Sequence, residues 1–256
     1  MCGRYAASRD PAVLVEEFEV ASPPEEVLAP DYNVAPTKKV YVVRDRRRDD
    51  REPVRELDVA RWGLVPSWAK DPSIGSRMIN ARMETVAEKP AFRRAFARRR
   101  CLVPADGYYE WYTPEGGPAG RSGKPLKQPF FIHPRDGGVL AMAGLYEFWR
   151  DPTRDEDDPA SWLMTATILT TTAEDGLGRI HDRMPLLVPR ERWAAWLDPE
   201  AAVGDGAGEL LVPAAPGLLD AYPVSTRVNN VRNNGPDLLD PLPPDDAERA
   251  VQEVLS

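Results

Sequence analysis

Cysteine and histidine are scarce in this 256-residue sequence, which has two of each. Cys2 and Cys101 lie far apart, no C-x-x-C motif occurs, and the two histidines are His133 and His181. A disulfide-stabilised scaffold needs more cysteines, and a structural zinc site needs four suitably spaced cysteine or histidine ligands. The sequence therefore predicts neither a disulfide framework nor a metal site, gives no sign of a cofactor, and fits a reducing compartment.

Long apolar runs and an excess of positive charge are also missing. No stretch approaches the roughly 20 apolar residues of a membrane-spanning helix, and no basic segment followed by an apolar one is found at the N-terminus. The formal net charge is -8 and the isoelectric point about 5.0, which disfavours a protein that coats nucleic acid with its whole surface but leaves room for a local basic groove. We expect a cytoplasmic monomer that makes no membrane contact.

Short strand-like segments separated by turns are the main pattern along the chain. They are found at 39–44, 57–62, 101–103, 108–112, 130–133, 139–149 and 162–172. Helix signals follow Asp10, a Thr85–Glu88 capping box and Pro189, and a last helix is predicted over 245–255. With few strand–helix–strand crossovers, this order predicts an α+β fold: one domain over 2–256 with a mostly antiparallel, barrel-like sheet flanked by short helices. Glycine and proline predict irregular loops near 113–127, 150–160 and 198–217.

The N-terminal segment Met1-Cys2-Gly3-Arg4-Tyr5 carries the most chemical information. Removal of Met1, which is usual before a residue as small as cysteine, would leave an amine and a thiol on the first mature residue. Their ordinary pKa values, about 8.5 for the thiol and about 7.7 to 8.0 for the amine, leave both partly deprotonated near neutral pH. Such a pair can attack an acyl carbon or condense with an aldehyde to form a thiazolidine ring. Alternatively, Cys2 is an ordinary buried residue, as free cysteines often are.

Several other segments combine polar and aromatic residues in short, distinctive motifs. They are 32–37 (YNVAPT), 62–68 (WGLVPSW), 79–85 (INARMET), 105–111 (ADGYYEW), 127–132 (KQPFFI), 180–185 (IHDRMP) and 224–230 (VSTRVNN). Together with the N-terminal CGRY, and in this order, they resemble the SRAP family of SOS-response-associated peptidases and abasic-site processing proteins. The resemblance extends over nearly the whole chain.

This resemblance implies a protein that binds abasic sites in single-stranded DNA and joins them covalently to Cys2, with a lyase side activity and self-processing of Met1. It implies two groups of functional residues. The catalytic group is Cys2, Asn80, Glu110 and His181, and the DNA-binding group is Arg4, Asn33, Pro36, Trp68, Arg77 and Arg82. His181 titrates near neutral pH and suits opening of the closed sugar, while Glu110, between two aromatic residues, suits proton transfer to and from the amine.

Other interpretations of the same residues stay open at this stage. Glu110 can be an ion-paired strand residue, His181 an exposed loop residue, and Trp68 part of a core. A different function is also compatible with the N-terminus, since class II glutamine amidotransferases, which are N-terminal nucleophile hydrolases, start with Met-Cys-Gly too. The third hypothesis is a protein that binds single-stranded DNA without forming a covalent bond.

Overall fold

The computed structural model of the protein describes residues 2–47, 52–114, 123, 125–155, 157–173, 176–201, 207–213 and 215–255. Its strands are β1 (Tyr5–Ala7), β2 (Asp31–Val34), β3 (Lys39–Arg46), β4 (Val54–Trp62), β5 (Asn80–Arg82), β6 (Arg100–Ala105), β7 (Gly107–Tyr112), β8 (Gln128–Pro134), β9 (Leu140–Arg150), β10 (Trp162–Thr172), β11 (Arg183–Pro185) and β12 (Leu219–Pro223). The α-helices are α1 (Pro11–Glu17), α2 (Arg93–Arg98), α3 (Leu177–Ile180), α4 (Trp193–Leu197), α5 (Ala207–Leu210) and α6 (Pro244–Leu255). Short 3-10 turns connect several of these elements.

Five strands close into a barrel in the order β10, β4, β3, β6 and β9. The ring closes where β9 and β10 pair antiparallel, from Trp162 opposite Arg150 to Ile168 opposite Gly144. One junction of the ring, β4 with β10, is parallel, and β5 also runs parallel to β10. A second sheet, antiparallel throughout, has the order β12, β8, β7, β1 and β2. The predicted α+β fold with a mostly antiparallel, barrel-like sheet is confirmed.

Both faces of the central part of β3 are buried, against different partners. On β3, Val40 and Val42 join a cluster with residues of the second sheet, whereas Tyr41 and Val43 join a cluster with residues of the helices. Successive strand residues point to opposite faces, so the central segment of β3, residues 40–43, is apolar without interruption. The second sheet and the helices thus cover opposite faces of the barrel wall, and the N-terminus belongs to the sheet side.

Two glycines allow the backbone to pass closely beside the end of β4. Gly63 has a φ of +122°, and a Cβ atom there would lie 2.5 Å from the carbonyl oxygen of Gly75, which belongs to a 3-10 turn over Pro72–Arg77. A Cβ atom on Gly75 would lie 2.4 Å from the carbonyl oxygen of Gly63. Only glycine tolerates this combination of positive φ and close approach. The contact holds the 3-10 turn against the barrel, just before the chain enters β5.

Of the predicted strands and helices, some are confirmed and one helix was placed wrongly. The strand predicted at 162–172 is β10, and Asp10 caps α1 by accepting a hydrogen bond from the N–H of Ala12 at 2.8 Å. The helix predicted after the Thr85 capping box was placed wrongly, because α2 begins only at Arg93. Thr85 ends a 3-10 turn instead, and Pro90 lacks the N–H that a continuous helix would use.

The predicted loops fall largely outside the regular elements. Most of 113–127 lies outside the described residues, and the described part of 150–160 consists mainly of turns and a 3-10 turn at Pro159–Ser161. In the described part of 198–217, the helical turn α5 occurs where the sequence predicted only irregular chain. The assignment of 2–256 to a single domain stays a prediction.

Candidate active site around Cys2

Cys2 is fully buried, beside the short strand that carries Asn80. The Asn80 Nδ2 atom donates a hydrogen bond to the carbonyl oxygen of Cys2 at 2.8 Å. Asn80 reaches this place because β5 pairs in parallel with β10, with Asn80 opposite Ile168. The barrel therefore fixes one wall of the site, and residues 78 positions apart in sequence meet there.

Glu110 is buried on β7, with only 4% of its surface exposed. The adjacent strand is β1, and the N–H of Tyr109 donates to the carbonyl oxygen of Arg4 at 2.9 Å, which brings the N-terminal segment alongside Glu110. Burial raises the pKa of Glu110 to about 7 from an ordinary value of 4.5. Burial also raises the pKa of the Cys2 thiol, and the charge of Glu110 raises it further. Glu110 is therefore a carboxyl group that can give or take a proton at neutral pH, within electrostatic reach of a thiol that stays protonated.

His181 follows α3, the helix that packs against β7. Its Nδ1 atom lies 3.0 Å from the N–H of Arg183 and 3.0 Å from Oδ1 of Asp182. Nδ1 accepts the hydrogen bond from the N–H of Arg183, so the neutral ring carries its proton on Nε2. Burial lowers the pKa of His181. The charges of Asp182 and Lys127 act on both His181 and Glu110, which places the two groups in one electrostatic neighbourhood.

Arg4 and Asn33 are tied to the C-terminal part of the chain. Arg4 donates to Oδ1 of Asn33 at 2.7 Å and to the carbonyl oxygen of Val228 at 2.9 Å. Asn33 is fully buried, and its Nδ2 atom donates to the carbonyl oxygens of Val228, Asn230 and Asn233. In this conformation the Asn33 amide binds protein groups, so its contact with DNA stays a prediction, as does that of Arg4.

The other predicted DNA-binding residues lie closer to solvent. Trp68 is 61% exposed in the loop after β4, Arg77 and Arg82 are exposed before and within β5, and Pro36 is half-buried beside Thr37, whose φ is 72°. Arg77 and Arg82 flank Asn80 in sequence, so two cations border the site along one segment. Their roles in binding stay predictions.

Sequence reasoning missed the part played by the asparagine-rich segment 228–234. Asn229 accepts a hydrogen bond from Nε1 of Trp111 at 2.6 Å, and Asn234 accepts one from the N–H of Tyr32 at 2.8 Å. The segment thereby joins β2 and β7, the strands on either side of β1. The signal that could have revealed it is the density of asparagines at 229, 230, 233 and 234, a residue type that often bonds the backbone of irregular chain.

Within the described ranges, no cluster of three or more histidine, cysteine, aspartate or glutamate side chains has the arrangement to hold a metal ion. Among the helices of those same ranges, none combines the length and apolar character needed to cross a membrane.

Fold and site together define a class of protein: a small closed barrel, capped by an antiparallel sheet, that buries the second residue of the chain beside an amide and a carboxyl group. The sequence model of the SOS response associated peptidase (SRAP) family matches residues 1–231. The chain belongs to the SRAP family.

Curated relatives cover most of the chain. "Abasic site processing protein YoqW" of Bacillus subtilis (strain 168) is 38% identical over 241 residues, which are 94% of this chain and 99% of the relative. "Abasic site processing protein YedK" of Escherichia coli (strain K12) is 34% identical over 251 residues, covering 94% of this chain and 100% of the relative. A crystal structure of a protein from Bacteroides thetaiotaomicron has the same fold, with a TM-score of 0.74 at 24% identity, covering 94% of this chain and 100% of that one.

Proposed function

We propose that this protein processes abasic sites in single-stranded DNA by forming a covalent thiazolidine link between the sugar aldehyde and Cys2. The observation that carries the proposal is the grouping of Cys2 with Asn80 and Glu110, in a family whose curated relatives bear the name abasic site processing protein. An abasic sugar offers an aldehyde once its ring opens. An amine and a thiol on neighbouring carbons are the natural trap for an aldehyde.

The reaction begins with removal of Met1, which turns the backbone nitrogen of Cys2 into an α-amine. We include this self-processing in the proposal, as the peptidase activity of the family name. Asn80, through its hydrogen bond to the Cys2 carbonyl oxygen, holds the new N-terminal residue in a fixed position. Positioning of this kind lowers the entropy lost when amine and aldehyde meet.

Ring opening is assigned to His181. The hydroxyl proton on C1′ of the closed sugar leaves, the bond from C1′ to the ring oxygen breaks, and that oxygen gains a proton to become the C4′ hydroxyl. The lowered pKa of His181 favours the neutral ring, whose proton lies on Nε2 because Nδ1 accepts from the N–H of Arg183. The Nε2–H group can donate its proton to the ring oxygen as the bond to C1′ breaks, and Nε2 then takes up the proton that leaves the C1′ hydroxyl.

Glu110 then carries protons through the condensation. It accepts one from the Cys2 ammonium, the amine adds to C1′, and protonated Glu110 returns a proton as water leaves the carbinolamine to give a protonated imine. The thiol adds last: sulfur bonds to C1′ and its proton passes to nitrogen. One water is lost overall. A thiol that stays protonated until this step agrees with the raised pKa of Cys2.

Binding of the DNA strand is assigned to the exposed residues around the site. Arg77 and Arg82 would contact phosphates, and Trp68 would stack on a base, an interaction that contributes about 1–3 kcal/mol per base. We also propose that Arg4, Asn33 and Pro36 contact the DNA strand. The same imine can instead undergo β-elimination, which gives a lyase side activity. We propose that the protein does this as a cytoplasmic monomer.

Two parallel incubations test the proposed function. The purified protein is mixed with an abasic single-stranded oligonucleotide and, separately, with glutamine. A DNA adduct that survives a denaturing gel supports the proposal. Ammonia release from glutamine without a DNA adduct would contradict it and favour an N-terminal nucleophile hydrolase.

The assignment of His181 predicts that the variant His181→Ala separates chemistry from binding. Crosslinking should slow by about 100-fold, while the apparent Kd for abasic single strand changes by less than about threefold, because general acid–base catalysis acts on ring opening and not on phosphates. Single-turnover gel kinetics and fluorescence anisotropy measure the two quantities. An equal loss of rate and affinity would make His181 a binding residue.

A further inference from the structure

Three buried polar atoms close to Cys2 have no hydrogen-bond partner among the described residues. They are the hydroxyl oxygens of Tyr5 and Tyr108 and the Oδ1 atom of Asn80. Tyr5 is 0% exposed and Tyr108 1% exposed. Polar groups shielded from water lose hydrogen bonds to solvent without compensation, so native proteins leave few of them unpaired.

The two tyrosines are neighbours on the face of the second sheet that covers the barrel. Tyr5 on β1 lies directly opposite Tyr108 on β7, and Glu110, two residues further along β7, shares their face. The Tyr5 ring packs edge-on against Trp62 at a centroid distance of 5.1 Å. Trp62 in turn donates from Nε1 to the carbonyl oxygen of Ile79 at 2.9 Å, one residue before Asn80. The unpaired atoms therefore belong to residues that surround Cys2 from both the sheet side and the barrel side.

Their lack of partners contrasts with other buried tyrosines. The Tyr109 hydroxyl donates to the carbonyl oxygen of Tyr32 at 2.8 Å, and the Tyr41 hydroxyl accepts from the N–H of Leu28 at 2.7 Å. Burial raises the pKa of both Tyr5 and Tyr108, and the nearby Cys2 raises it further, so both phenols keep their protons. The site thus holds two permanent O–H donors and one amide oxygen that can accept.

We infer that Tyr5, Tyr108 and the Oδ1 atom of Asn80 bind the hydroxyl group that ring opening creates on the sugar. The inference rests on the proposed function. A closed abasic sugar has no hydroxyl at C4′, whereas the open aldehyde has one, with a single donor and two acceptor positions. Two phenol O–H groups would donate to that oxygen, and the amide oxygen would accept its proton. Hydrogen bonds to a C4′ hydroxyl can form only after the ring has opened, so they favour the form that carries the reactive aldehyde.

The variants Tyr5→Phe and Tyr108→Phe test the inference, because each removes only a hydroxyl. Each should slow crosslinking to abasic single strand by about tenfold, since one lost hydrogen bond to an otherwise unpaired group has an effect of this size. The rate of adduct formation with propanal, an aldehyde without a hydroxyl group, should change by less than about twofold. Intact-mass kinetics follow both reactions on the same protein samples.

The matched control is Tyr41→Phe, whose hydroxyl is bonded within the fold on the opposite face of the barrel wall. It should lower the Tm by about 2–4 °C and leave both aldehyde reactions unchanged, whereas the Tm of Tyr5→Phe and Tyr108→Phe should stay equal to the wild-type value or rise. Unchanged crosslinking in both tyrosine variants, or an equal slowing with propanal, would overturn the inference. A wild-type protein that forms no adduct with abasic DNA would instead refute the proposed function.

Discussion

The variant Cys2→Ala is expected to lose the stable DNA adduct almost completely. Without the thiol, condensation stops at the imine, which water hydrolyses, so the adduct that survives a denaturing gel should fall by at least about 100-fold. In variant protein whose intact mass shows that Met1 has been removed, the amine remains. Borohydride, which reduces imines to stable amines, should then restore a crosslink in this variant. Quantitative gels with and without borohydride make the measurement.

Cys101→Ala serves as a matched control for this experiment. Cys101 is also a fully buried free cysteine, but it lies on β6 within the barrel wall. Its replacement should lower stability and leave the adduct yield of folded protein unchanged. Equal adduct yields from Cys2→Ala and the wild type would refute ring closure by the Cys2 sulfur.

Replacing Glu110 by glutamine is expected to have the second largest effect. The amide cannot exchange protons with the amine or the carbinolamine, so the crosslinking rate should fall by about 10²- to 10⁴-fold. In the wild type, the rate should rise with pH as the carboxyl ionises near its pKa of about 7. The variant should lack the part of the rise that comes from Glu110 and keep only the part from the amine, whose ordinary pKa is about 7.7 to 8.0. Single-turnover rates between pH 5 and pH 9 supply the comparison, and a glutamine variant with the wild-type profile would remove Glu110 from the reaction.

The same substitution should stabilise the fold at high pH, which separates a chemical role from a structural one. Because the pKa of Glu110 is higher in the folded protein than its ordinary 4.5, the folded state binds a proton more tightly than the unfolded chain. The resulting stabilisation is fully present below pH 4.5 and is lost as the pH rises through about 7. Glutamine buries no charge, so above pH 7 the variant should gain up to about 3 kcal/mol in the free energy of unfolding. Urea unfolding of variant and wild type at pH 5 and pH 8 tests the direction of this change in the free energy of unfolding.

Much of the fold was predictable because its strands are long and apolar. β10 coincides with the predicted segment, and α1 begins at its capping aspartate. The parallel pairing of β5 with β10 was not predictable, since a three-residue strand carries too little periodicity to reveal its partner. The position of α2 was predicted wrongly because a proline overrides a local capping signal.

For the candidate site, the residue types were predictable from the sequence, whereas their geometry was not. Short motifs pointed to Cys2, Asn80, Glu110 and His181. The chemistry of each side chain suggested its role. Their environment depends on tertiary contacts that no local pattern carries. The burial that raises the pKa of Glu110 and the hydrogen bond from Asn80 to Cys2 are examples. Asn33 is a further case, because its contacts with carbonyl groups about 200 positions away gave no local sign in the sequence.

Intact-mass spectrometry of the protein before and after incubation with an abasic single-stranded oligonucleotide tests the central claim most directly. We predict a starting mass without Met1, and a product mass higher by one oligonucleotide less one water, formed without borohydride. Chemical blocking of the N-terminal amine should prevent the gain. DNA attached to protein that still carries Met1, or an unchanged yield after blocking, would contradict the proposal that the amine and thiol of Cys2 together trap the sugar aldehyde.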